Sequence, residues 1–285
     1  MSRFSPIHPA CRWSPTTISM CCMLLFALAL LPVTVTSAAS QKAALELDVP
    51  YVPTPPHVVD KMLEMAEVKS SDFLIDLGAG DGRIAVAAVR DRGARGALGV
   101  DINPERVEEA RVNAEQARVA DKVTFTVQNL FETDLSKATV LSMYLLPDVN
   151  IKLRSKILAM APGTRVVSHA FDMDEWEPDE YVDLRGRSVY LWVVPANVAG
   201  QWQFTGPEGN FTVQLEQEFQ KVTGTATSAD RKPLRLSGAL RGDVVHLNVL
   251  GGGSSAQQYI GRVQGNTIVA LADAGAAKDW RAVRR

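Results

Sequence analysis

The fold is decided by the stretch Asp76-Leu77-Gly78-Ala79-Gly80-Asp81-Gly82-Arg83-Ile84. The apolar run Phe73–Leu77 that leads into it predicts a buried parallel strand, because helices cover both faces of such a strand. The glycines let the backbone turn sharply and approach a ligand closely. The helix predicted from Arg83 to Arg92 directs its first N–H groups towards the same point. This order of strand, glycine turn and helix predicts an adenosine-type ligand at the edge of an open α/β sheet.

The next strand and helix support the same prediction. Gly96 to Asp101 is an apolar run that ends, about twenty residues after the glycines, in a carboxylate that can accept from ribose hydroxyls. Asn103-Pro104 then supplies the N-cap and first-turn proline of a helix that extends to about Ala120. Asp76 suits a cation better than a pyrophosphate, because like charges repel. S-adenosylmethionine, with its sulfonium and amino groups, is such a cation.

Further elements alternate along the chain in the order that a parallel sheet requires. We expect helices at His57–Val68 and Asp148–Met160, and strands at Val123–Gln128, Thr139–Leu145 and Arg165–Ala170. A closing hairpin is expected from Glu180–Leu184 and Ser188–Val194. The predicted fold class is therefore α/β, with a doubly wound, mostly parallel, Rossmann-like sheet over residues 45–195. A small C-terminal antiparallel β domain is expected after it.

Three motifs resemble those of class I S-adenosylmethionine-dependent methyltransferases, namely Asp76–Ile84, Gly99–Pro104 and the proline-rich loop Tyr51–Pro55. They are similar in particular to a bacterial group of small methyltransferase-domain proteins. That group is similar in turn to the membrane-tethered protein-lysine methyltransferases of mitochondria. The resemblance covers roughly residues 48–195. It implies transfer of a methyl group from S-adenosylmethionine to a nitrogen acceptor, with a protein lysine as one candidate.

The resemblance also implies which residues contact the cofactor. They include the glycine motif and two residues of the proline-rich loop that close over the methionine end: Tyr51, Thr54, Asp76, Gly78, Gly80, Asp81, Asp101, Ile102, Asn129 and Leu130. Asn129 departs from the family pattern, which commonly has an aspartate there to accept from the adenine amino group. An amide carbonyl still accepts a hydrogen bond, but it is a weaker acceptor than a carboxylate.

Two side chains are candidates for the methyl-transfer step. Tyr144, at the end of the fourth predicted strand, would line the methyl-transfer channel; a ring that fills the sheet edge is an equal alternative. His169, near the end of the fifth, would accept a proton, with a hydrogen-bonded structural histidine as the alternative. The stretch Tyr144–Pro147 lacks the Asn/Asp-Pro-Pro-aromatic tetrapeptide of nucleic-acid amine methylases, which disfavours a base as acceptor. Four histidines without ligand spacing predict no metal site.

From Val198 onward, Gly, Thr, Ser and Gln dominate, and short alternating runs are separated by turns. Such runs predict a small antiparallel sheet or barrel over residues 198–285. Gly200-Gln201-Trp202 resembles the Gly-x-Trp start of lipocalin-like barrels, although one buried tryptophan under a small sheet explains it equally.

Residues 1–39 have the pattern of a secretory signal. Arg3 and Arg12 precede an apolar run over residues 20–35, and small residues follow it. We expect an exported or periplasmic protein, with an uncleaved membrane anchor as the alternative. The three cysteines of the chain, Cys11, Cys21 and Cys22, all lie in this segment, so the rest has neither a disulfide nor a cysteine metal site.

Two functions therefore compete. The first is an enzyme that methylates a protein or small-molecule acceptor by in-line displacement, mostly through positioning. The second is an exported, non-catalytic ligand-binding protein with a relic methyltransferase domain and a lipocalin-like barrel. The signal-like segment favours the second, because exported compartments are not expected to supply S-adenosylmethionine; the intact glycine motif and Asp101 favour the first. The net charge of −2, without a basic tract interleaved with aromatics, argues against a nucleic-acid partner.

Overall fold

The computed structural model describes residues 51–207, 209–227, 233–251, 257–272 and 276–285. The predicted signal or anchor over residues 1–39 lies outside these ranges. Within them, no helix combines the length and the apolar character that crossing a membrane would require.

The first part of the described chain is an α/β sheet with helices on its faces. Its elements are α1 (Pro56–Met65), β1 (Phe73–Leu77), α2 (Arg83–Arg90), β2 (Gly96–Asp101), α3 (Pro104–Gln116), β3 (Val123–Val127), a short 3-10 helix (Leu130–Glu132), β4 (Val140–Met143), α4 (Pro147–Leu158), β5 (Arg165–His169), β6 (Glu180–Asp183) and β7 (Ser188–Val193). The strand order is β3-β2-β1-β4-β5-β7-β6. The first five strands pair in parallel, and β7 pairs antiparallel with both β5 and β6. The predicted doubly wound, mostly parallel fold is confirmed.

The order of the strands explains where a ligand can bind. The chain moves from β1 outward to β2 and β3, and then returns to the other side of β1 with β4. A crevice opens outside the carboxyl ends of strands at such a reversal. The helices bury their apolar faces on the sheet; α2, for example, buries six consecutive residues, Ile84 to Val89. This packing holds the strand ends rigidly around the crevice.

The second part is a closed antiparallel barrel, which the sequence predicted only as a sheet or barrel. Its eight strands are β8 (Gly200–Thr205), β9 (Phe211–Glu218), β10 (Lys221–Thr227), β11 (Pro233–Arg241), β12 (Val244–Gly251), β13 (Gln257–Gln264), β14 (Thr267–Ala270) and β15 (Arg281–Arg284). β15 is short and rich in arginine, and it was not predicted from the sequence. Closure depends on it, because β15 pairs with β14 on one side and with β8 on the other.

The interior of the barrel is filled by side chains rather than by a ligand cavity. Trp202, Phe204, Tyr259 and Trp280 are buried there, and the rings of Phe204 and Trp280 stack with centroids 5.3 Å apart. Within the described residues, the cavity bordered by Phe204 and Trp280 measures about 10 Å³. That is room for about one water molecule. The lipocalin-like ligand cavity of the second hypothesis is therefore not found in this part of the chain.

Candidate functional site

A cavity of about 270 Å³ lies where the central parallel strands end. Ten predicted cofactor residues and one predicted acceptor residue line it: Tyr51, Thr54, Asp76, Gly78, Gly80, Asp81, Asp101, Ile102, Asn129, Leu130 and Tyr144. His169, the other candidate for catalysis, is not among the lining residues. No role was predicted from the sequence for several further lining residues, notably Arg83, Arg106, Leu145 and Phe171.

The glycine turn brings the backbone against the cavity. Gly78 and Gly80 have φ of 73° and 53°, in the left-handed region that glycine adopts most easily. A Cβ on Gly80 would lie 2.5 Å from the ring of Tyr51, and one on Gly78 would lie 2.8 Å from Leu145 Cδ2. Both positions therefore favour glycine for backbone conformation, and a Cβ at either would displace the end of a neighbouring side chain.

Asp76 supplies a buried carboxyl group at the centre of the cavity wall. Its side chain is 2% exposed, and Oδ1 accepts a hydrogen bond of 2.7 Å from Ser142 Oγ. Oδ2 has no hydrogen-bond partner among the described residues. Burial raises the pKa of Asp76 from 3.8 to about 7, and the nearby carboxylates of Asp101 and Asp81 add to this while the Ser142 bond opposes it. A buried acceptor with an empty position is suited to a cationic ligand group, which would restore the charged form.

Asp101 organises the turn and borders the cavity at the same time. Its Oδ2 accepts from Gly80 N at 2.9 Å, and its Oδ1 accepts from Asn103 N at 2.9 Å. Each carboxylate oxygen has a second lone pair, so both can still accept from a ligand. This arrangement fits the two hydroxyls of a ribose.

Arg83 joins the proline-rich loop to the glycine turn, a role that the sequence analysis did not assign. Its Nε donates to Asp81 Oδ1 at 2.9 Å, and its Nη1 donates to the carbonyl oxygen of Thr54 at 2.9 Å. Burial alone would raise the pKa of Asp81, but the hydrogen bonds and charge of Arg83 more than offset this and lower it. The guanidinium of Arg106 lies 4.8 Å from the ring centroid of Tyr51 and holds that ring over the turn.

Asn129 makes a structural hydrogen bond in addition to the adenine contact expected of it. Its Oδ1 accepts from Phe131 N at 3.0 Å and caps the short 3-10 helix. The carbonyl oxygen proposed as the acceptor for the adenine amino group is thus already engaged once, and only its second lone pair is available to a ligand.

The opposite end of the cavity is aromatic. Tyr144 and Phe171 line it, with ring centroids 6.3 Å apart and an interplanar angle of 26°. The imidazole ring of His169 packs against the ring of Tyr144, with the two ring centroids 4.0 Å apart. Its Nδ1 and Thr54 Oγ1 are hydrogen-bonded at 3.2 Å.

His169 is held in its neutral form. It is 1% exposed, and burial, the charge of Arg187 and the charge of His57 lower its pKa from 6.5 to about 4. A buried, neutral histidine outside the cavity lining corresponds to the structural alternative, in which it anchors the proline-rich loop through Thr54. Its role as a proton acceptor has no support from this geometry.

The residues present fit S-adenosylmethionine. The empty position on Asp76 suits the positively charged end, Asp101 suits the ribose, and the apolar side chains of Ile102 and Leu130 suit the faces of the adenine ring. When bound, this cofactor supplies a methyl group on a positively charged sulfur, which makes it electrophilic. Within the described residues, no group of three His, Cys, Asp or Glu side chains could hold a metal ion.

Known proteins are similar to this chain over the same region. Residues 76–180 match the family of the ANTKMT methyltransferase domain. A protein-lysine N-methyltransferase of Saccharolobus islandicus (strain REY15A) is 45% identical over 151 residues, which are 51% of this chain and 94% of that protein. The adenine nucleotide translocase lysine N-methyltransferase of Mus musculus is 34% identical over 139 residues, 48% of this chain and 60% of that protein.

A solved structure agrees with the cofactor. The RNA methyltransferase of Salinibacter ruber in complex with S-adenosyl-L-homocysteine is 53% identical, with a TM-score of 0.50, and the match covers 52% of this chain and 96% of that one. S-adenosylhomocysteine is the molecule that remains when S-adenosylmethionine has given up its methyl group. The non-catalytic alternative is therefore not favoured, and the cofactor is S-adenosylmethionine. The chain belongs to the class I S-adenosylmethionine-dependent methyltransferases.

Proposed function

We propose that this enzyme methylates the side-chain amine of lysine in a protein. The observation that carries the proposal is the aromatic end of the cavity, where Tyr144 and Phe171 stand next to Leu145 and Leu146. Apolar walls accommodate the aliphatic stem of a lysine, and ring faces attract its amino group while it carries charge. The similarity to two enzymes named as lysine N-methyltransferases supports the same acceptor.

In this proposal, the chain acts mainly by positioning. Asp76 and Asp101 fix the cofactor, and the rings of Tyr144 and Phe171 orient the amine in line with the transferring methyl group and exclude water from it. The amine must be uncharged to attack, so its ammonium form first loses a proton. Because His169 is buried and hydrogen-bonded to Thr54, the proton leaves to solvent at the mouth of the cavity.

RNA is the second candidate acceptor, because the Salinibacter ruber protein is described as an RNA methyltransferase. Two features of this chain weigh against it. The formal net charge of −2 gives no general attraction for phosphates, and the stretch Tyr144–Pro147 differs from the tetrapeptide of the base-amine methylases.

One experiment separates the two acceptors. The purified protein and S-adenosylmethionine labelled in its methyl group are added to a heat-treated extract of the cells that make it, with the Asp101→Ala variant as the control. Lysine methylation leaves the label in protein, and acid hydrolysis releases it as N6-methylated lysine. Label that is released by ribonuclease, with none in the protein hydrolysate, contradicts the lysine proposal and supports RNA.

We also propose that residues 1–39 direct export, with the membrane-anchored form as the alternative outcome. The support is the sequence pattern alone: two arginines, an apolar run over residues 20–35 and small residues after it. N-terminal sequencing of the protein purified from its own cells tests this. A start near residue 40 is expected, and an intact N-terminus in the cytoplasmic fraction contradicts it.

A further inference from the structure

The turn between β9 and β10 holds a bulky residue in an unusual backbone conformation. Phe219 has a φ of 52°, in the left-handed region. Glycine, asparagine and aspartate are the residues that favour this conformation in tight hairpins, whereas a bulky side chain there is strained. Such strain persists where the surrounding contacts fix the residue, and it is often found near functional sites.

The ring of Phe219 contacts the α/β part of the chain, while its carbonyl oxygen accepts a hydrogen bond of 2.7 Å from Gln217 Nε2 within the barrel. Its ring stacks on Trp176 at a centroid distance of 6.0 Å and an interplanar angle of 11°. The guanidinium of Arg154, on α4, lies 5.4 Å from the same ring. The two residues after Phe219 add polar contacts to Glu177: Gln220 Nε2 donates to its carbonyl oxygen at 2.8 Å, and Lys221 Nζ lies 2.8 Å from its Oε1.

Two of these partners, Trp176 and Glu177, belong to one segment, Phe171–Glu177, which we call the acceptor loop because Phe171 lines the aromatic end of the cavity. The loop is also held from α4. Asn150, which is fully buried, donates through Nδ2 to the carbonyl oxygens of Phe171 and Asp172 at 3.3 and 3.0 Å. Arg154 Nη1 donates to the carbonyl oxygen of Met173 at 3.0 Å. Arg154 therefore contacts both the loop and the ring of Phe219.

Two residues with left-handed backbone conformation lie at the acceptor loop. Ala170, just before the acceptor loop, has a φ of 68°, and a hydrogen bond of 2.9 Å from Phe171 N to His169 O closes a three-residue turn around it. Asp174, within the loop, has a φ of 56°. Aspartate adopts this conformation readily, whereas alanine does not, so the strain lies at Ala170, where the chain enters the loop that α4 and the β9–β10 turn hold in place.

We propose that the barrel serves as a positioning module for the acceptor site. Phe219 is the positioning residue: its ring fixes Trp176 and Arg154, which hold the acceptor loop so that Phe171 forms one wall of the acceptor end. The inference rests on the proposed function only in treating that end as the place where the methyl acceptor enters. The cofactor end, formed by β1, β2 and the glycine turn, has no part in this set of contacts.

The test compares three variants of the full-length protein. Phe219→Gly removes the ring and at the same time relieves the left-handed strain, so the hairpin is expected to keep its fold. Asp279→Gly is the matched control, because Asp279 also has a left-handed φ, of 58°. Asp279 is exposed and lies in the barrel region. Phe219→Tyr retains the ring and is expected to restore wild-type behaviour.

Two measurements are made on each variant. Amide hydrogen exchange follows Phe171, Trp176 and Glu177, whose N–H groups donate within or next to the acceptor loop. Calorimetry compares S-adenosylhomocysteine with sinefungin, an analogue that carries an amino group in place of the sulfonium methyl and so reaches the acceptor end. Neither measurement requires a known methyl acceptor.

In Phe219→Gly we expect exchange in the acceptor loop to rise about tenfold and sinefungin to bind about threefold more weakly, with S-adenosylhomocysteine unchanged. Asp279→Gly should change none of these. The inference is overturned if hydrogen exchange in the acceptor loop and the ratio of the affinities for sinefungin and S-adenosylhomocysteine are both unchanged. It is also overturned if the affinities for the two ligands fall equally. If the wild type binds neither ligand, the cofactor assignment fails while the exchange data still decide the role of Phe219.

Discussion

Ser142 and Asp76 form a buried pair on adjacent parallel strands, in which the serine hydroxyl donates to Asp76 Oδ1 at 2.7 Å. The serine satisfies one oxygen of the carboxyl group and leaves Oδ2 without a partner among the described residues. Burial raises the pKa of Asp76 to about 7, so near neutrality the free protein is divided between the protonated and the charged forms. A cationic cofactor group binds the charged form. Cofactor binding and the protonation of Asp76 are therefore linked.

We predict that cofactor affinity falls as the pH drops below about 7, approaching roughly tenfold per pH unit, because binding then requires Asp76 to release a proton. Calorimetry with S-adenosylmethionine over a range of roughly pH 5 to 8, which spans the pKa of Asp76, measures this. Asp76→Asn should bind far more weakly and show no such slope. A wild-type affinity that is flat over this range contradicts the buried-acid account.

The same carboxyl group affects the stability of the free protein. The pKa of Asp76 is higher in the folded than in the unfolded state, so its stabilising contribution is complete below about pH 4 and is lost as the pH rises through about 7. Asp76→Asn keeps an acceptor for Ser142 without a charge. The cofactor-free variant should therefore be at least as stable as the wild type at pH 8 in urea unfolding, at about room temperature. Strong destabilisation at that pH would show that Asp76 has a buried partner which this account omits.

Tyr144 allows the acceptor end to be tested separately from the cofactor end. Tyr144→Ala should raise KM for the methyl acceptor or lower kcat by about tenfold or more, because the ring orients the amine, while the Kd for S-adenosylhomocysteine stays within about twofold. Tyr144→Phe keeps the ring and should retain most of the activity. If Tyr144→Phe is as inactive as Tyr144→Ala, the hydroxyl takes part in proton transfer and the positioning account is wrong.

Asn129 tests the adenine end. Asn129→Asp retains an oxygen that can cap Phe131 N and makes it a charged acceptor, so S-adenosylmethionine should bind modestly tighter, by up to about tenfold. Asn129→Leu removes both functions and serves as the comparison. An affinity of Asn129→Asp equal to or weaker than that of the wild type would place the adenine amino group elsewhere.

The boundary between the sheet and the barrel gives a further prediction. A chain that ends at Ala196 keeps all strands of the sheet and every lining residue of the cavity, so it should remain folded and bind cofactor. It loses Phe219, the stacking partner of Trp176, so its free energy of unfolding should be lower by about 1 kcal/mol or more. Ending the chain before Ser188 removes β7, exposes β5 as a free edge and should cause aggregation. If the chain that ends at Ala196 does not bind the cofactor, the barrel belongs to the same core as the α/β sheet.

Much of the α/β part was predictable because its signals are local. The glycine turn that follows an apolar run and the helix start at Asn103-Pro104 are each recognisable from the residues of one short segment. β1 and β2 have the predicted bounds. β15 was missed because its four residues, Arg281–Arg284, have a weak alternating pattern, and only the barrel closure shows their role. A strand of this kind is defined by its partners rather than by its own sequence.

The site was predictable to a similar extent. The polar residues at the strand ends were identified because parallel strands bring their carboxyl ends to one edge. Arg83 is part of the glycine motif, but its hydrogen bond to the carbonyl oxygen of Thr54 depends on how the proline-rich loop folds back. Phe171 and Phe219 are ordinary apolar residues in sequence. Their roles follow from a strained turn and from contact between two parts of the chain about forty residues apart, which no local pattern encodes.

We expect Asp76 and Asp101 to form the binding site for S-adenosylmethionine, and calorimetric titration of the purified protein with this cofactor tests this most directly. The wild type should bind with one site per chain. Asp101→Ala should lose on the order of 1.5–3 kcal/mol, roughly tenfold or more in affinity, and Asp121→Ala, which removes an exposed carboxylate elsewhere, should bind as the wild type does. The absence of binding by the wild type at about millimolar cofactor, or equal affinity of the wild type and Asp101→Ala, would contradict the account.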